Sequence, residues 1–278
     1  MNFENKKLKE MDYLSVAIES AKEAGRFLKL NLGKVKNIEK KKEEINLVTE
    51  IDKGSERKII DFLKSRFPNH SILAEESGET NPGSDFRWII DPLDGTTNYT
   101  HSFPVFCVSI ALEFKGEVIL GVVYDPNLDE LFYAEKGKGA FLNGKRISVS
   151  KTNKLIKSML ATGFPYNVKE NPDNCIEHFV NFLMEAQAIR RLGSAALDLV
   201  YVACGRLDGF WEVDLNPWDT AAGKIIVEEA GGKITDFYGN DFNIYTKGIV
   251  ASNGLIHEQM LEVIKKGLKR DEEKGVCR

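Results

Sequence analysis

Near the start of the chain, apolar residues recur at intervals of three and four positions. Leu14, Ala21 and Leu28 belong to this series, whose spacing places its members on one face of an α-helix. The pattern predicts an amphipathic helix over about residues 8–31. A second helix is expected over residues 55–67, where a Pro-Asn pair follows as a stop signal.

Short apolar stretches bounded by turn residues predict a series of strands in the first half of the chain. The Asn143-Gly144 dipeptide favours a tight hairpin turn after them. The segment Lys34–Glu44 mixes Lys with Glu, so we interpret it as a hairpin or loop rather than a binding patch. The predicted strands cover residues 71–74, 88–91, 105–114, 118–124 and 131–134.

After about residue 150 the pattern changes to an alternation of strands and helices. Such alternation predicts an α/β sheet covered by helices. We therefore expect a mixed α+β half over residues 1–148 and an α/β half over residues 149–278, which ends in a frayed, charged tail from Lys269. The predicted strands are 159–162, 189–192, 209–212, 233–236 and 249–252, and the predicted helices are 172–187, 194–204, 217–230 and 254–266.

Composition and charge narrow the class of protein. The 278 residues are 42% hydrophobic and 29% charged, as in an ordinary globular enzyme. A formal net charge of −4 argues against direct binding of nucleic acid. Four widely spaced cysteines suggest neither a disulfide framework nor a zinc site. The first residues lack the apolar core of a signal peptide, and no apolar run could span a membrane, so we expect a cytoplasmic protein.

The stretch from Trp88 to Tyr99 joins a predicted strand to a turn that contains carboxylates, a glycine and hydroxyl groups. Asp91 and Asp94 follow an apolar run at a spacing of three. Gly95 then allows a ligand close to the backbone, and Thr96 follows where a helix would start. The two carboxylates are ligands suited to a hard cation, and the backbone amides beside them can donate to an anion. Together they indicate a site where Mg²⁺ assists a reaction of phosphate. From these residues alone, an ordinary surface Asp-Gly turn is an equally good interpretation.

Other acidic residues also have local explanations. Glu75 and Glu76 end a predicted strand and face opposite sides, so only one can join the aspartates, and we choose Glu75. Asp52 lies near a helix start, where capping is the simpler hypothesis. Asp219, in Asn-Pro-Trp-Asp, is well explained as a helix-capping acid. The four histidines fall in no motif, and we interpret them as surface residues.

Longer motifs decide between these alternatives. Two signatures appear almost intact: WIIDPLDGTTNY at residues 88–99, and WDTAAG at 218–223 continuing to EAGG at 229–232. With supporting matches AEES, VTEID and RLGSAA, the chain resembles the inositol monophosphatase family of Mg²⁺-dependent, Li⁺-sensitive phosphatases. The resemblance implies an αβαβα layered sandwich and a homodimer. Small departures are Leu93, where Ile is also common, and Ser194, where many members have Thr.

The resemblance also implies a metal site of two to three Mg²⁺ ions. One ion would be held by Glu75, Asp91 and the backbone carbonyl of Leu93. A second would be held by Asp91, Asp94 and Asp219. Such sharing agrees with the preference of Mg²⁺ for oxygen ligands.

Roles for further residues follow from the same resemblance. A third, weaker ion would bind Glu75 near Asp52. Asp52 and Thr96 would orient the attacking water, and the amides of Gly95 and Thr96 would cradle the phosphate. One ion would activate the water, and the other would stabilise the leaving oxygen.

The identity of the substrate is the less specific part of the resemblance. Gly193, Ser194, Ala195, Glu212 and Asp219 occupy positions where the family contacts a polyol ring. For Glu212, an ordinary edge carboxylate is the alternative. The best match is a phosphatase acting on inositol 1-phosphate. Fructose 1,6-bisphosphate is an alternative substrate, and other members of the superfamily cleave adenosine 3′,5′-bisphosphate or histidinol phosphate.

Two further alternatives stay open. Arg190 or Arg191 could grip a second phosphate, although a structural ion pair is the simpler use. Some bacterial relatives act as transcription antitermination partners, which is a non-enzymatic role. The intact set of acidic residues favours an enzymatic function. The sequence has no stripe of basic residues of the kind that binds nucleic acid directly.

Overall fold

Two long helices begin the structure, a computed structural model that describes residues 12–34, 38–40 and 47–273. Helix α1 (Tyr13–Asn31) is capped by Asp12, whose carboxylate accepts the amide of Ser15 at 3.0 Å. Helix α2 (Glu50–Arg66) begins at Glu50 rather than at the predicted residue 55, so the weak helix former Gly54 lies inside it. Both helices pack on one face of a large sheet.

The large sheet has eight strands in the order β10-β9-β8-β7-β6-β5-β3-β4, and only β3 and β5 among them pair in parallel. The predicted turn at Asn143-Gly144 joins β9 to β10 and is confirmed. Part of the predicted Lys34–Glu44 hairpin is also seen as the antiparallel pair β1 (Ile38–Lys40) and β2 (Leu47–Thr49), while residues 35–37 and 41–46 lie outside the described residues. The eight strands are β3 (Ser71–Ala74), β4 (Gly78–Thr80), β5 (Phe86–Asp94), β6 (Cys107–Phe114), β7 (Glu117–Asp125), β8 (Glu130–Glu135), β9 (Gly139–Leu142) and β10 (Lys145–Arg146).

A second, mixed sheet has five strands in the order β12-β11-β13-β15-β14. The tail predicted to fray from Lys269 is instead helical as far as Glu273, and residues 274–278 lie outside the described residues. The strands are β11 (Met159–Thr162), β12 (Ala188–Arg190), β13 (Gly209–Val213), β14 (Lys233–Thr235) and β15 (Gly248–Ser252), and the remaining helices are α3 (Thr96–Thr100), α4 (Cys175–Glu185), α5 (Ala195–Ala203), α6 (Pro217–Glu229) and α7 (His257–Glu273).

Three hydrophobic clusters separate five layers. The first lies between helices α1 and α2 and the eight-stranded sheet, and the second lies between the two sheets around α5 and α6. The third packs α4 and α7 against the outer face of the five-stranded sheet. The predicted αβαβα sandwich is therefore confirmed. Helix α6 comes from the second half of the chain but packs on the eight-stranded sheet of the first half. The two halves therefore share a core, and their division at residue 148 stays a prediction.

The histidines correct one expectation. His70, His178 and His257 are buried, so the prediction of surface positions is wrong for three of the four. His70 stacks between Phe67 and Phe86, with ring centroids 4.9 and 4.7 Å apart. Burial lowers the pKa of His70 and of His257 to about 4, so both rings pack as neutral groups at pH 7.

No helix in the part of the chain that the structure describes combines the length and the apolar character needed to cross a bilayer.

Candidate active site

The end of strand β5 shapes the site. Pairing with β6 is regular as far as Asp91 opposite Ser109 and then shifts, so that the next pair is Asp94 opposite Cys107. This bulge contains Pro92, which has no amide to give to a ladder. Asp91 Oδ1 accepts the amide of Leu93 at 3.0 Å. The bulge thus sets two carboxylates at the end of a buried strand.

Four acidic residues interact at this point. Burial raises the pKa of Asp91 well above its usual value, and the nearby charges of Glu75, Asp94 and Asp219 raise it further. The pKa of Asp94 is raised to about 6, mainly by burial. Burial also raises the pKa of Asp219, with Glu75 and Asp94 as the next causes. The four carboxylates that the resemblance assigns to metal therefore lie within electrostatic range of one another.

Asp94 also connects the two sheets. Its Oδ2 accepts the hydroxyl of Ser194 at 2.7 Å and the amide of Ala196 at 2.8 Å. Ser194 is the N-cap of α5, and its hydroxyl lies 3.4 Å from the amide of Leu197. The positive end of α5 is thus directed at the Asp94 carboxylate.

Asp219 lies in the first turn of α6. Its Oδ2 accepts the amide of Asn216 at 2.6 Å, and Pro217 occupies the first helical position. The cap that the sequence predicts is therefore present. Because Asp219 also lies within electrostatic reach of Glu75 and Asp94, capping and cation binding are compatible roles.

The carboxylates suit a hard divalent cation. They offer only oxygen donors, and their mutual repulsion in a buried place is relieved by positive charge. Within the described residues, no group of three or more His, Cys, Asp or Glu side chains is already gathered as a formed metal site. The fit of a cation therefore depends on donor chemistry and charge.

A hydroxyl–carboxylate pair adjoins the acidic cluster. Thr96 Oγ1 lies 3.0 Å from Asp52 Oδ1 and 3.1 Å from the carbonyl oxygen of Leu93. Asp52 is fully buried in the first turn of α2. The hydroxyl of Thr96 is thus oriented by two acceptors, and its contact with Leu93 places that carbonyl beside the same group.

The turn before α3 requires glycine. Gly95 has φ +96°, and a Cβ there would lie 2.9 Å from the carbonyl oxygen of Val105. The same Cβ would lie 3.3 Å from the carbonyl oxygen of Gly193. The turn that starts α3 therefore abuts the loop before α5. That loop contains the predicted substrate contacts Gly193 and Ser194, and the third, Ala195, is the first residue of α5.

Glu212 lies on β13 and is buried. Burial raises its pKa to about 8, against the lowering effect of Arg191 and with a further rise from Asp94. A Cβ at Gly163 would fall 2.0 Å from Glu212 Oε1, so this glycine makes room for the carboxylate. Sequence reasoning missed Gly163, because nothing in a single chain shows which residue faces which strand.

Asp198 is a second residue that the sequence analysis missed. It is buried on α5, and its Oδ1 has no hydrogen-bond partner among the described residues. Burial raises its pKa well above the usual value, and Glu212 and Asp94 add to the rise. An acid within the apolar run Ala-Ala-Leu-Asp-Leu-Val was the available signal.

Comparisons with known proteins agree over nearly the whole chain. The model of the inositol monophosphatase family matches residues 9–269. An inositol-1-monophosphatase of Synechocystis is 46% identical over 91% of this chain and 88% of its own length. A fructose-1,6-bisphosphatase/inositol-1-monophosphatase of Thermotoga maritima is 44% identical over 91% of this chain and 96% of its own.

Two further similarities are informative. The Nus factor SuhB of Escherichia coli K12 is 44% identical over 89% of this chain and 94% of its own. The crystal structure of the extragenic suppressor protein suhB of Bartonella henselae superposes with a TM-score of 0.88 at 42% identity. That match covers 92% of this chain and all of the other.

The layered fold and these relatives define an enzyme that hydrolyses phosphate esters. The chain belongs to the inositol monophosphatase family.

The raised pKa values generate a prediction for metal-free protein. A carboxyl whose pKa is higher folded than unfolded binds more protons in the folded state, so stability falls as pH rises between the two values. For Asp94 that window runs from about 4, the ordinary aspartate value, to about 6. We expect the melting temperature without metal to fall across this pH window.

The variant Asp219→Asn should, without metal, melt at or above the parent temperature, because it keeps an oxygen for the amide of Asn216 and removes a repelling charge.

With Mg²⁺, the order should reverse. A ligand at a hundredfold excess over Kd stabilises the folded state by about 2.7 kcal/mol, and Asp219→Asn should lose most of that gain in a thermal melt. Asp125→Asn is the control, because Asp125 is a buried acid that caps Asn127 and Leu128 instead. If Asp219→Asn destabilises the metal-free protein and keeps the full Mg²⁺ shift, Asp219 is only a helix cap.

Proposed function

We propose that this phosphatase is Mg²⁺-dependent and hydrolyses inositol 1-phosphate. The observation that carries the proposal is the Thr96–Asp52 hydrogen bond beside four interacting carboxylates. The name of the Synechocystis relative, an inositol-1-monophosphatase, supports the choice of substrate.

Two to three Mg²⁺ ions would be held by oxygen donors of the chain, and when bound they lower the pKa of a coordinated water and stabilise the departing oxygen. The proposed donors are Glu75, Asp91, the carbonyl of Leu93, Asp94 and Asp219, with Glu75 shared by the weaker third ion near Asp52.

The attacking water would be oriented by Thr96. Its hydroxyl has one proton, and donating that proton to Asp52 Oδ1 leaves lone pairs that can accept a proton from water. As Thr96 takes a proton from the water, Asp52 would take the original hydroxyl proton of Thr96, so the two residues would act together as the base. The amides of Gly95 and Thr96 would bind the phosphate oxygens, since the absence of a side chain at Gly95 permits close approach.

The polyol would lie on the side of the second sheet. Gly193, Ser194 and Ala195 would line its ring, Asp219 would approach it from α6, and Glu212 would hydrogen-bond a hydroxyl. Burial of Glu212 makes such a bond strong, because little water competes for the carboxyl group.

The Thermotoga maritima relative is named for both fructose-1,6-bisphosphatase and inositol-1-monophosphatase activity, so a bisphosphate is the alternative substrate. A second phosphate needs an available cation. Arg191 already interacts with the buried acids Glu212 and Asp198, and Arg190 donates to the carbonyl of Ile189 at 3.0 Å. Arg191 thus has an internal ion-pairing role, which favours the monophosphate.

A protein-binding role is the second candidate function. The observation that favours it is the name of the Escherichia coli relative, a Nus factor. Binding of the transcription machinery would use the surface and would not require turnover. A chain of net charge −4 is not expected to bind nucleic acid directly.

Two properties complete the proposal. Cys107, Cys175 and Cys204 are free thiols, which suits a reducing cytoplasm. A homodimer is supported by the outer face of α4, because exposed apolar residues recur there at helical spacing. Those residues are Ile176, Val180, Leu183 and Met184, with exposed fractions of 44, 48, 55 and 76%.

Removal of metal should abolish activity. We expect phosphate release from inositol 1-phosphate to stop in excess EDTA, to return with Mg²⁺, and to be inhibited by Li⁺. The substrate preference is measured by comparing phosphate release from inositol 1-phosphate, fructose 1,6-bisphosphate and p-nitrophenyl phosphate. Full activity in chelator contradicts the metal mechanism. No turnover on the whole panel, together with capture of transcription proteins from lysate, favours the second candidate function.

Glu212→Gln should weaken turnover of inositol 1-phosphate and spare p-nitrophenyl phosphate, which has no polyol. A hydrogen bond to a charged group is worth about 1.5–3 kcal/mol, or roughly 10- to 150-fold in kcat/KM. Gly163→Ala should act in the same direction, because its Cβ displaces the Glu212 carboxylate.

The control for this pair is Glu113→Gln, which removes a buried carboxylate bound to Arg87 rather than to the site. Equal losses on both substrates for Glu212→Gln would place Glu212 in the scaffold.

The dimer is tested by light scattering on a sizing column. We expect the parent to elute with twice the mass of one chain and Leu183→Glu to elute as a monomer, because a buried unpaired charge opposes association. Leu128→Glu is the control, since Leu128 is equally exposed, at 60%, on a different surface. A monomeric parent contradicts the proposal.

A further inference from the structure

The amide of Asn98 connects the two sides of the site. Its Nδ2 donates to the carbonyl oxygens of Val105 and Leu192, both at 2.8 Å, and lies 3.5 Å from that of Gly193. Three carbonyl oxygens around one atom identify it as the amide nitrogen, because an oxygen there would be repelled. Asn98 and Leu192 are 94 residues apart in the chain.

The loops that Asn98 connects are in close contact. A Cβ at Gly193 would lie 3.0 Å from Asn98 Nδ2 and 2.9 Å from Arg191 Nη1. On the other side, a Cβ at Gly95 would lie 3.3 Å from the carbonyl oxygen of Gly193. The turn that starts α3 and the loop before α5 therefore have little room to move while the amide holds them.

Other contacts already hold the two loops to their own supports. Helix α3 is fixed by the hydroxyl of Tyr99, which donates to the carbonyl of Leu28 at 2.7 Å, and by Thr96 on Asp52. After Gly193, the chain is fixed by Ser194 on Asp94. The specific contribution of Asn98 is the position of Leu192 and Gly193 relative to Gly95.

We propose that Asn98 is a positioning residue that holds the Leu192–Gly193 backbone against the Gly95 turn, and thereby sets the distance between the phosphate and polyol parts of the site. The inference rests on the proposed function, because it assigns phosphate to the Gly95 side and polyol to the Gly193 side. Asn98 itself contacts neither the phosphate nor the polyol. It acts through Leu192 and Gly193.

The substrate dependence of kcat/KM tests this role. In Asn98→Ala, both hydrogen bonds are lost while α3 and Ser194 keep their own supports. One neutral hydrogen bond corresponds to a factor of roughly 2 to 13. We expect a loss of about 10-fold for inositol 1-phosphate, largely in KM, and of less than about 3-fold for p-nitrophenyl phosphate. Asn98→Asp, which has the same size and no donor when ionised, should give the same split.

Tyr99→Phe is the matched control. It removes one buried hydrogen bond from the adjacent residue of the same helix, directed at Leu28 rather than Leu192. We expect a lower melting temperature and an unchanged ratio between the two substrates. If Asn98→Ala and Tyr99→Phe change the ratio equally, or Asn98→Ala lowers both activities alike, the positioning role is wrong.

Amide hydrogen exchange, measured without substrate, separates this inference from the proposed function. Peptides covering residues 188–197 should exchange faster in Asn98→Ala and at the parent rate in Tyr99→Phe. Unchanged exchange in both Asn98 variants overturns the inference whatever the activity. A parent without turnover on any phosphate ester contradicts the proposed function, while exchange still decides whether Asn98 holds the Leu192–Gly193 backbone.

Discussion

The mutual repulsion of the acidic cluster formed by Glu75, Asp91, Asp94 and Asp219 is the constraint on which the site depends. Burial and mutual charge raise the pKa values of Asp91, Asp94 and Asp219, so the metal-free protein opposes their ionisation. Two helices counter this cost. Asp94 accepts hydrogen bonds from the first turn of α5, and Asp219 lies in the first turn of α6. Both helices lie between the sheets, with their positive ends at the cluster.

Because of this arrangement, the packing between the two sheets determines the geometry of the acidic cluster. The strand β5 provides Asp91 and Asp94, and α6 provides Asp219 after crossing from the second sheet. The same packing that buries the apolar faces of α5 and α6 therefore fixes the spacing of the acids. A shift of one layer against the other would alter ligand spacing and substrate contacts together.

Local patterns accounted for much of this structure. Apolar runs predicted the main strands, and the Asp-Pro-Leu-Asp-Gly-Thr sequence predicted the turn at the end of β5, although not the bulge around Pro92. Gly163 and Asp198 were missed because their roles depend on Glu212, which reaches them only through folding. The burial of His70 was missed because neutral stacking on Phe67 and Phe86 leaves no mark in the sequence.

In the proposed enzyme, Glu212 would couple the polyol side of the site to the metal side. Burial raises its pKa to about 8, so that the carboxyl group is mainly protonated at pH 7 in the metal-free protein, and the charge of Asp94 adds to that rise. A cation bound at Asp94 opposes this contribution and favours the ionised form of Glu212. An ionised Glu212 can only accept hydrogen bonds, which suits a substrate hydroxyl. By linkage, binding of a cation at Asp94 would favour release of a proton from Glu212, and a substrate hydroxyl that donates to Glu212 would strengthen binding of the cation.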